Sequence, residues 1–226
     1  MAVVKCILAV LLTLGAATTA AAAVGSAVTP EQAAANLEKA LGALRTFQAK
    51  FEQLYYSVSV SDPLHESGEV LFQKPDLMRW EYKDPQKKVF LYKDGIIQMY
   101  LAEENQLTRS RISKEAIESD ILGIFLGHRS FRETYVIEET HFPTDMAHVR
   151  QIKLTPRAEG DYSHILLEID EATWLLRRAV FLEWAGNKRE FIFSRFRINA
   201  GLAGRTFELK VPPDCEIIDD TGVIRR

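Results

Sequence analysis

Sequence motifs for local catalytic chemistry are missing from this 226-residue chain. It has no G-x-S-x-G elbow, no G-x-x-x-x-G-K-[ST] phosphate loop and no G-x-G-x-x-G turn, which removes the commonest nucleophile and nucleotide signatures. Its five histidines, His65, His128, His141, His148 and His164, are scattered, and no pair has the three- or four-residue spacing of a helix-borne metal site. Adjacent acids such as Glu103-Glu104, Glu138-Glu139 and Asp219-Asp220 would point to opposite faces of a strand and could not act as a pair. The chain therefore reads as a non-enzyme without metal or cofactor.

Concentrated charge is missing as well. The formal net charge is −3, from 28 basic and 31 acidic residues, which argues against nucleic acid as a partner. The doublets Lys87-Lys88 and Arg177-Arg178 read as solubilising strand faces.

Cysteine is scarce, with only Cys6 and Cys215. The first 23 residues combine Lys5, an apolar run from Cys6 to Leu14 and a small-residue tract ending Ala21-Ala22-Ala23, the order of a cleavable export signal. The apolar run is shorter than the ~20 residues of a spanning helix. Cleavage near Ala23 would release residues 24–226 as one secreted domain. It would leave Cys215 alone, so no intramolecular disulfide is expected even in an oxidising compartment.

Thr29-Pro30-Glu31-Gln32 predicts a helix start, with Thr29 as cap, Pro30 in the first turn and Gln32 completing a capping box. Leu37, Leu41 and Leu44 continue at helical spacing. From Phe47 the period becomes two, with Phe47, Ala49 and Phe51 sharing one face of a strand. Strand-like runs follow at Glu69–Gln73, Leu77–Tyr82, Val89–Tyr92 and Ile96–Leu101, divided by Pro75, Pro85 and an Asp94-Gly95 turn. A second helix is predicted over Ser113–Leu126, with Ile117, Ile121, Ile124 and Phe125 on one side.

Further strands are expected at Tyr135–Glu138, His148–Leu154, His164–Ile169, Leu175–Trp184, Glu190–Arg197 and Thr206–Val211. The sum is an α+β fold: one strongly curved antiparallel sheet of about 11 strands, an incomplete barrel, with helices over its concave face.

The segment Gly68–Gly95, GEVLFQKPDLMRWEYKDPQKKVFLYKDG, orders a glycine, a strand, Lys74-Pro75, Trp80, Pro85 and a Lys-Asp-Gly turn. With Phe47-Gln-Ala-Lys-Phe51-Glu-Gln upstream and Phe207-Glu-Leu-Lys-Val-Pro212-Pro213 near the end, it resembles the LolA family of periplasmic outer-membrane lipoprotein carriers. That resemblance implies a chaperone for the acyl chains of tri-acylated lipoproteins. It implies an inner-membrane ABC lipoprotein-releasing complex as donor, an outer-membrane receptor as acceptor, and a monomeric carrier between them. Candidate cavity residues are Leu41, Phe47, Phe51, Met78, Trp80, Ile121, Leu122, Ile124 and Phe125; an ordinary close-packed core is the competing reading for the same side chains. Met78 is also a candidate rim contact for the transporter.

Family members often carry an arginine before the proline of this segment, implied to fasten the helical lid. Here that position is Lys74, which has three donors at one point instead of a planar fork. Arg79 is the alternative latch, and the spacing does not choose between them. A periplasmic lipid or lipoprotein sensor, or a glycolipid-binding protein of similar fold, is the alternative function.

Overall fold

The computed structural model describes residues 28–112 and 130–221. Helix α1, Pro30–Ala43, begins as its sequence predicts: the Gln32 amide donates to Thr29 Oγ1 at 3.2 Å and the Thr29 amide to Gln32 Oε1 at 2.8 Å. These reciprocal bonds satisfy backbone donors that a helix start leaves unpaired. Ala33, Ala34, Leu37 and Leu41 form its buried stripe, and Leu44, the C-cap, is buried behind them.

The strands are β1 Thr46–Tyr56, β2 Leu64–Gln73, β3 Leu77–Asp84, β4 Lys88–Lys93, β5 Ile96–Leu101 and β6 Gln106–Arg111. After the four-residue helix α2, Phe131–Thr134, come β7 Tyr135–Glu139, β8 Val149–Pro156, β9 Tyr162–Asp170, β10 Leu176–Glu183, β11 Lys188–Ile198 and β12 Glu216–Asp220. All belong to one sheet of 12 strands in the order β12-β6-β5-β4-β3-β2-β1-β11-β10-β9-β8-β7. Strand β1 is central; β2 to β6 meander away on one side, and β7 to β11 return from the far edge to close on its other side. The sheet stays open, with β12 and β7 at its edges.

Three expectations are corrected. The sheet is mixed, because β12 pairs with β6 in parallel while the other neighbours are antiparallel. The strand expected at Thr206–Val211 is instead a turn of 3-10 helix at Gly204–Phe207 followed by irregular chain, and it buries Phe207 without a ladder partner. Strands β6 and β12 add to the strands that the sequence pattern predicts. The helix expected at Ser113–Leu126 lies outside the described residues.

The tight turn at Asp94-Gly95 is present, with positive φ at both residues (53° and 75°), the backbone that a two-residue hairpin of matching twist requires. One buried cluster takes Leu37 and Leu41 from α1, Phe51, Phe72 and Trp80 from one arm of the sheet, and Ile152, Leu167 and Phe181 from the other. Both arms therefore turn the same face inward, and α1 packs across β7 and β8.

Candidate ligand-binding cavity

Alternation along each strand decides which side chains share the inner face. From β1 these are Phe47, Ala49, Phe51, Gln53 and Tyr55. From β2 they include Glu66, Gly68, Val70 and Phe72; from β3, Met78, Trp80 and Tyr82. Direct cross-strand pairs bring Phe51 beside Phe193, Gln53 beside Phe191 and Tyr55 beside Arg189. The result is an aromatic floor. Phe51 meets Trp80 and Tyr82 at 4.8 Å between ring centroids, and Trp80 meets Phe191 at 5.5 Å and Phe193 at 6.1 Å, mostly edge to face. The Trp80 indole N–H donates to Met78 Sδ at 3.1 Å.

Above this floor lies a cavity of about 350 Å³, within the range of small-molecule sites. Met78, Trp80, Phe90, Tyr92, Ile97 and Phe191 line its apolar part, and Tyr55 and Leu64 stand with Arg189 towards the hairpin ends of the strands. Burial, followed by the charges of Asp76 and Asp94, raises the Tyr92 phenol above its ordinary pKa, so it stays neutral across the neutral range.

Between floor and strand ends the inner face turns polar. Tyr82 Oη donates to Gln53 Oε1 at 2.8 Å, Gln53 Nε2 donates to Glu66 Oε2 at 2.8 Å, and Lys88 Nζ donates to Glu66 Oε1 at 2.5 Å. Lys88 also lies over the Tyr82 ring, 4.3 Å from its centroid, closing a ring of four residues from four strands. The reading of Lys88 as a solvated strand face is thus corrected, since its side chain is 19% exposed and bound to a buried carboxylate. Arg178 is corrected likewise: it lies 2.8 Å from Glu190 and 3.6 Å from Glu168, two buried acids.

The residues proposed from sequence separate into groups. Met78 and Trp80 line the cavity. Leu41, Phe47 and Phe51 are sealed in the core and are not among its lining residues; Phe51 supports the cavity from beneath Trp80. Met78, considered for a rim contact, is 1% exposed and belongs to the wall. Ile121, Leu122, Ile124 and Phe125 lie outside the described residues.

The latch candidates sit in different places. Lys74, in the turn between β2 and β3, donates from Nζ to the Gly42 carbonyl in the last turn of α1, a position where a cation also meets the negative end of the helix dipole. Arg79 is on the opposite face of β3 from Met78 and Trp80. It is paired with Glu81 at 3.0 Å and donates to the Glu208 carbonyl at 3.3 Å. No group of three or more His, Cys, Asp or Glu among the described residues is placed to hold a metal ion.

The family described as outer membrane lipoprotein carrier protein LolA matches residues 42–210. The chain is similar to the outer-membrane lipoprotein carrier protein of Coxiella burnetii, 22% identical over 186 residues, covering 82% of this chain and 86% of that protein. It is also similar to the one of Dechloromonas aromatica, 23% identical over 176 residues, covering 78% and 82%. Among solved structures, an uncharacterized conserved protein of Thermus thermophilus has the same fold, with a TM-score of 0.54 at 15% identity and 84% and 98% coverage.

Proposed function

The chain belongs to the LolA family, and from that membership we propose that it is a periplasmic carrier that takes the acyl chains of lipoproteins leaving the inner membrane and delivers them to the outer membrane. The observation that carries this reading is the aromatic-floored cavity of about 350 Å³ on the inner face of an open sheet. Each methylene moved from water gains about 0.8 kcal/mol, so three chains hold a lipoprotein in a bilayer by tens of kcal/mol. Crossing water needs a protein that covers them, and Met78 beside Trp80 supplies an adaptable apolar wall.

In this reading residues 1–23 are the export signal, cleaved near Ala23, and residues 24–226 form the carrier domain. The donor is an inner-membrane ABC lipoprotein-releasing complex, the acceptor is an outer-membrane lipoprotein receptor, and the carrier travels as a monomer without enzymatic activity. Lys74 is the latch in preference to Arg79, because its ammonium group holds the end of α1 whereas Arg79 serves the outer face.

Native mass spectrometry of the protein recovered from periplasm tests the function. A co-purifying acylated polypeptide supports it. A carrier that stays empty after incubation with lipoprotein-loaded vesicles and the releasing complex would overturn it.

A further inference from the structure

The hydrogen-bonded ring above the cavity floor is chemically one-sided. Both carboxylate oxygens of Glu66 and the side-chain carbonyl of Gln53 already accept bonds from within the protein. Lys88 spends one of its three N–H donors on Glu66 and lies over the Tyr82 ring, which leaves donor capacity to turn towards the cavity it lines. Arg189, the other lining cation, lies over Tyr55 at 5.8 Å, and its contact with Glu183 is at 3.9 Å, beyond hydrogen-bonding distance. The described residues lining this cavity include these two cations and no acid.

The cavity therefore presents an apolar floor and, towards the strand ends, donors with positive charge. From this we propose that Lys88 and Arg189 form a head-group collar, which binds the oxygen acceptors at the polar end of an acyl chain, either ester carbonyls or a carboxylate, while the chain lies on Trp80 and Phe191. This rests on the acyl-binding reading above and assigns the ligand's orientation, tail inward and head at the collar. Glu66 acts as a positioning residue: buried and bonded to Gln53, it fixes the Lys88 ammonium at the boundary between apolar and polar surface. A cation held in a partly desolvated site makes stronger hydrogen bonds to oxygen than one in water.

The test uses the purified protein and three probes: N-phenyl-1-naphthylamine, an apolar dye without oxygen, palmitate and methyl palmitate. Dye fluorescence reports the cavity, and displacement gives the affinity of each acyl compound relative to the dye. The variants are Arg189→Met and the double substitution Glu66→Gln with Lys88→Met, which avoids leaving a buried carboxylate without its cation. Circular dichroism checks that both are folded. The relative affinity for palmitate is expected to fall about tenfold in each, the worth of one charge-assisted hydrogen bond. A parallel fall for methyl palmitate assigns the collar to ester carbonyls, and a fall for palmitate alone assigns it to a carboxylate. Relative affinities unchanged in both variants overturn the collar and leave the cavity standing. A wild-type protein that binds neither dye nor palmitate overturns the acyl-binding reading itself.

Discussion

A methyl group placed on Gly68 would lie 2.0 Å from the carbonyl oxygen of Glu81 and 3.0 Å from the Phe51 ring. The close approach coincides with a register irregularity between β2 and β3, where Ser67 faces Asp84 and Gly68 faces Tyr82. Gly68 thus lets two backbones meet beneath the aromatic floor. Gly68→Ala is expected to cost about 2–3 kcal/mol, because backbone and not a flexible side chain must move. Urea unfolding measures it, and a loss under about 0.5 kcal/mol contradicts the geometry.

Lys74→Leu removes the bond from Nζ to the Gly42 carbonyl and the cation at the end of α1. Stability should drop by about 1 kcal/mol. Hydrogen exchange should rise at the last turn of α1, whereas Arg79→Leu leaves that turn protected. In a reconstituted transfer assay, Lys74→Leu is expected to load normally and deliver poorly. Normal delivery by both variants removes the latch from either residue.

Ile97, half-buried on β5 opposite Tyr92, faces the cavity without being part of its deepest packing. Ile97→Trp should fill the space and reduce dye affinity by about tenfold or more, while the urea midpoint stays near that of wild type. Unchanged dye binding would place the site elsewhere.

His164 has its pKa lowered, by burial first and then by the charge of Lys153. Between the lowered folded value and the ordinary value of about 6.5, the unfolded chain binds a proton that the folded chain does not, so stability rises with pH there. The contribution is complete above about pH 6.5 and is lost as pH falls through the folded value. Glu69 and Asp170, also lowered, act only in stronger acid. Urea midpoints taken from pH 7.5 downward should fall more steeply in wild type than in His164→Gln. Equal slopes would refute the assignment.

The parts of this fold that were readable in advance are those whose signals are local. Thr29, Pro30 and Gln32 announce α1 within four residues, and Phe47, Ala49 and Phe51 alternate as a half-buried strand must. Strand β6 has no local signature because in Gln-Leu-Thr-Arg-Ser-Arg only Leu107 is buried, and β12 has none because all five of its residues are exposed. Both are held by long-range pairing, Ile217 beside Leu107, which no local pattern reveals. Residues 206–211 alternate convincingly, yet the free side of β6 is taken by β12 and the segment passes β3 as irregular chain. In the cavity, Trp80 and Met78 come from the family resemblance, not from composition, and both are among the lining residues. Gln53, Glu66, Tyr82 and Lys88 were not legible, because ordinary surface residue types become a polar ring only when four strands align them.

The two strands that end the sheet have a bearing on crowding. Strand β7 carries Glu138 and Glu139, paired with Lys153 and Arg150 of β8, and β12 carries Glu216, Asp219 and Asp220, of which Asp219 lies near Arg109 of β6, so each border strand is rich in acids that are in part paired with cations of its neighbour. Two copies approaching border to border would bring these acids near one another, and like charges placed opposite one another on neighbouring strands repel. Exposed Ile217 and Ile218 would otherwise make β12 a ready template for fibre growth. The acids of both border strands thus weigh against edge-to-edge pairing of an open sheet, most of all at β12, where Glu216 and Asp220 flank the exposed isoleucines.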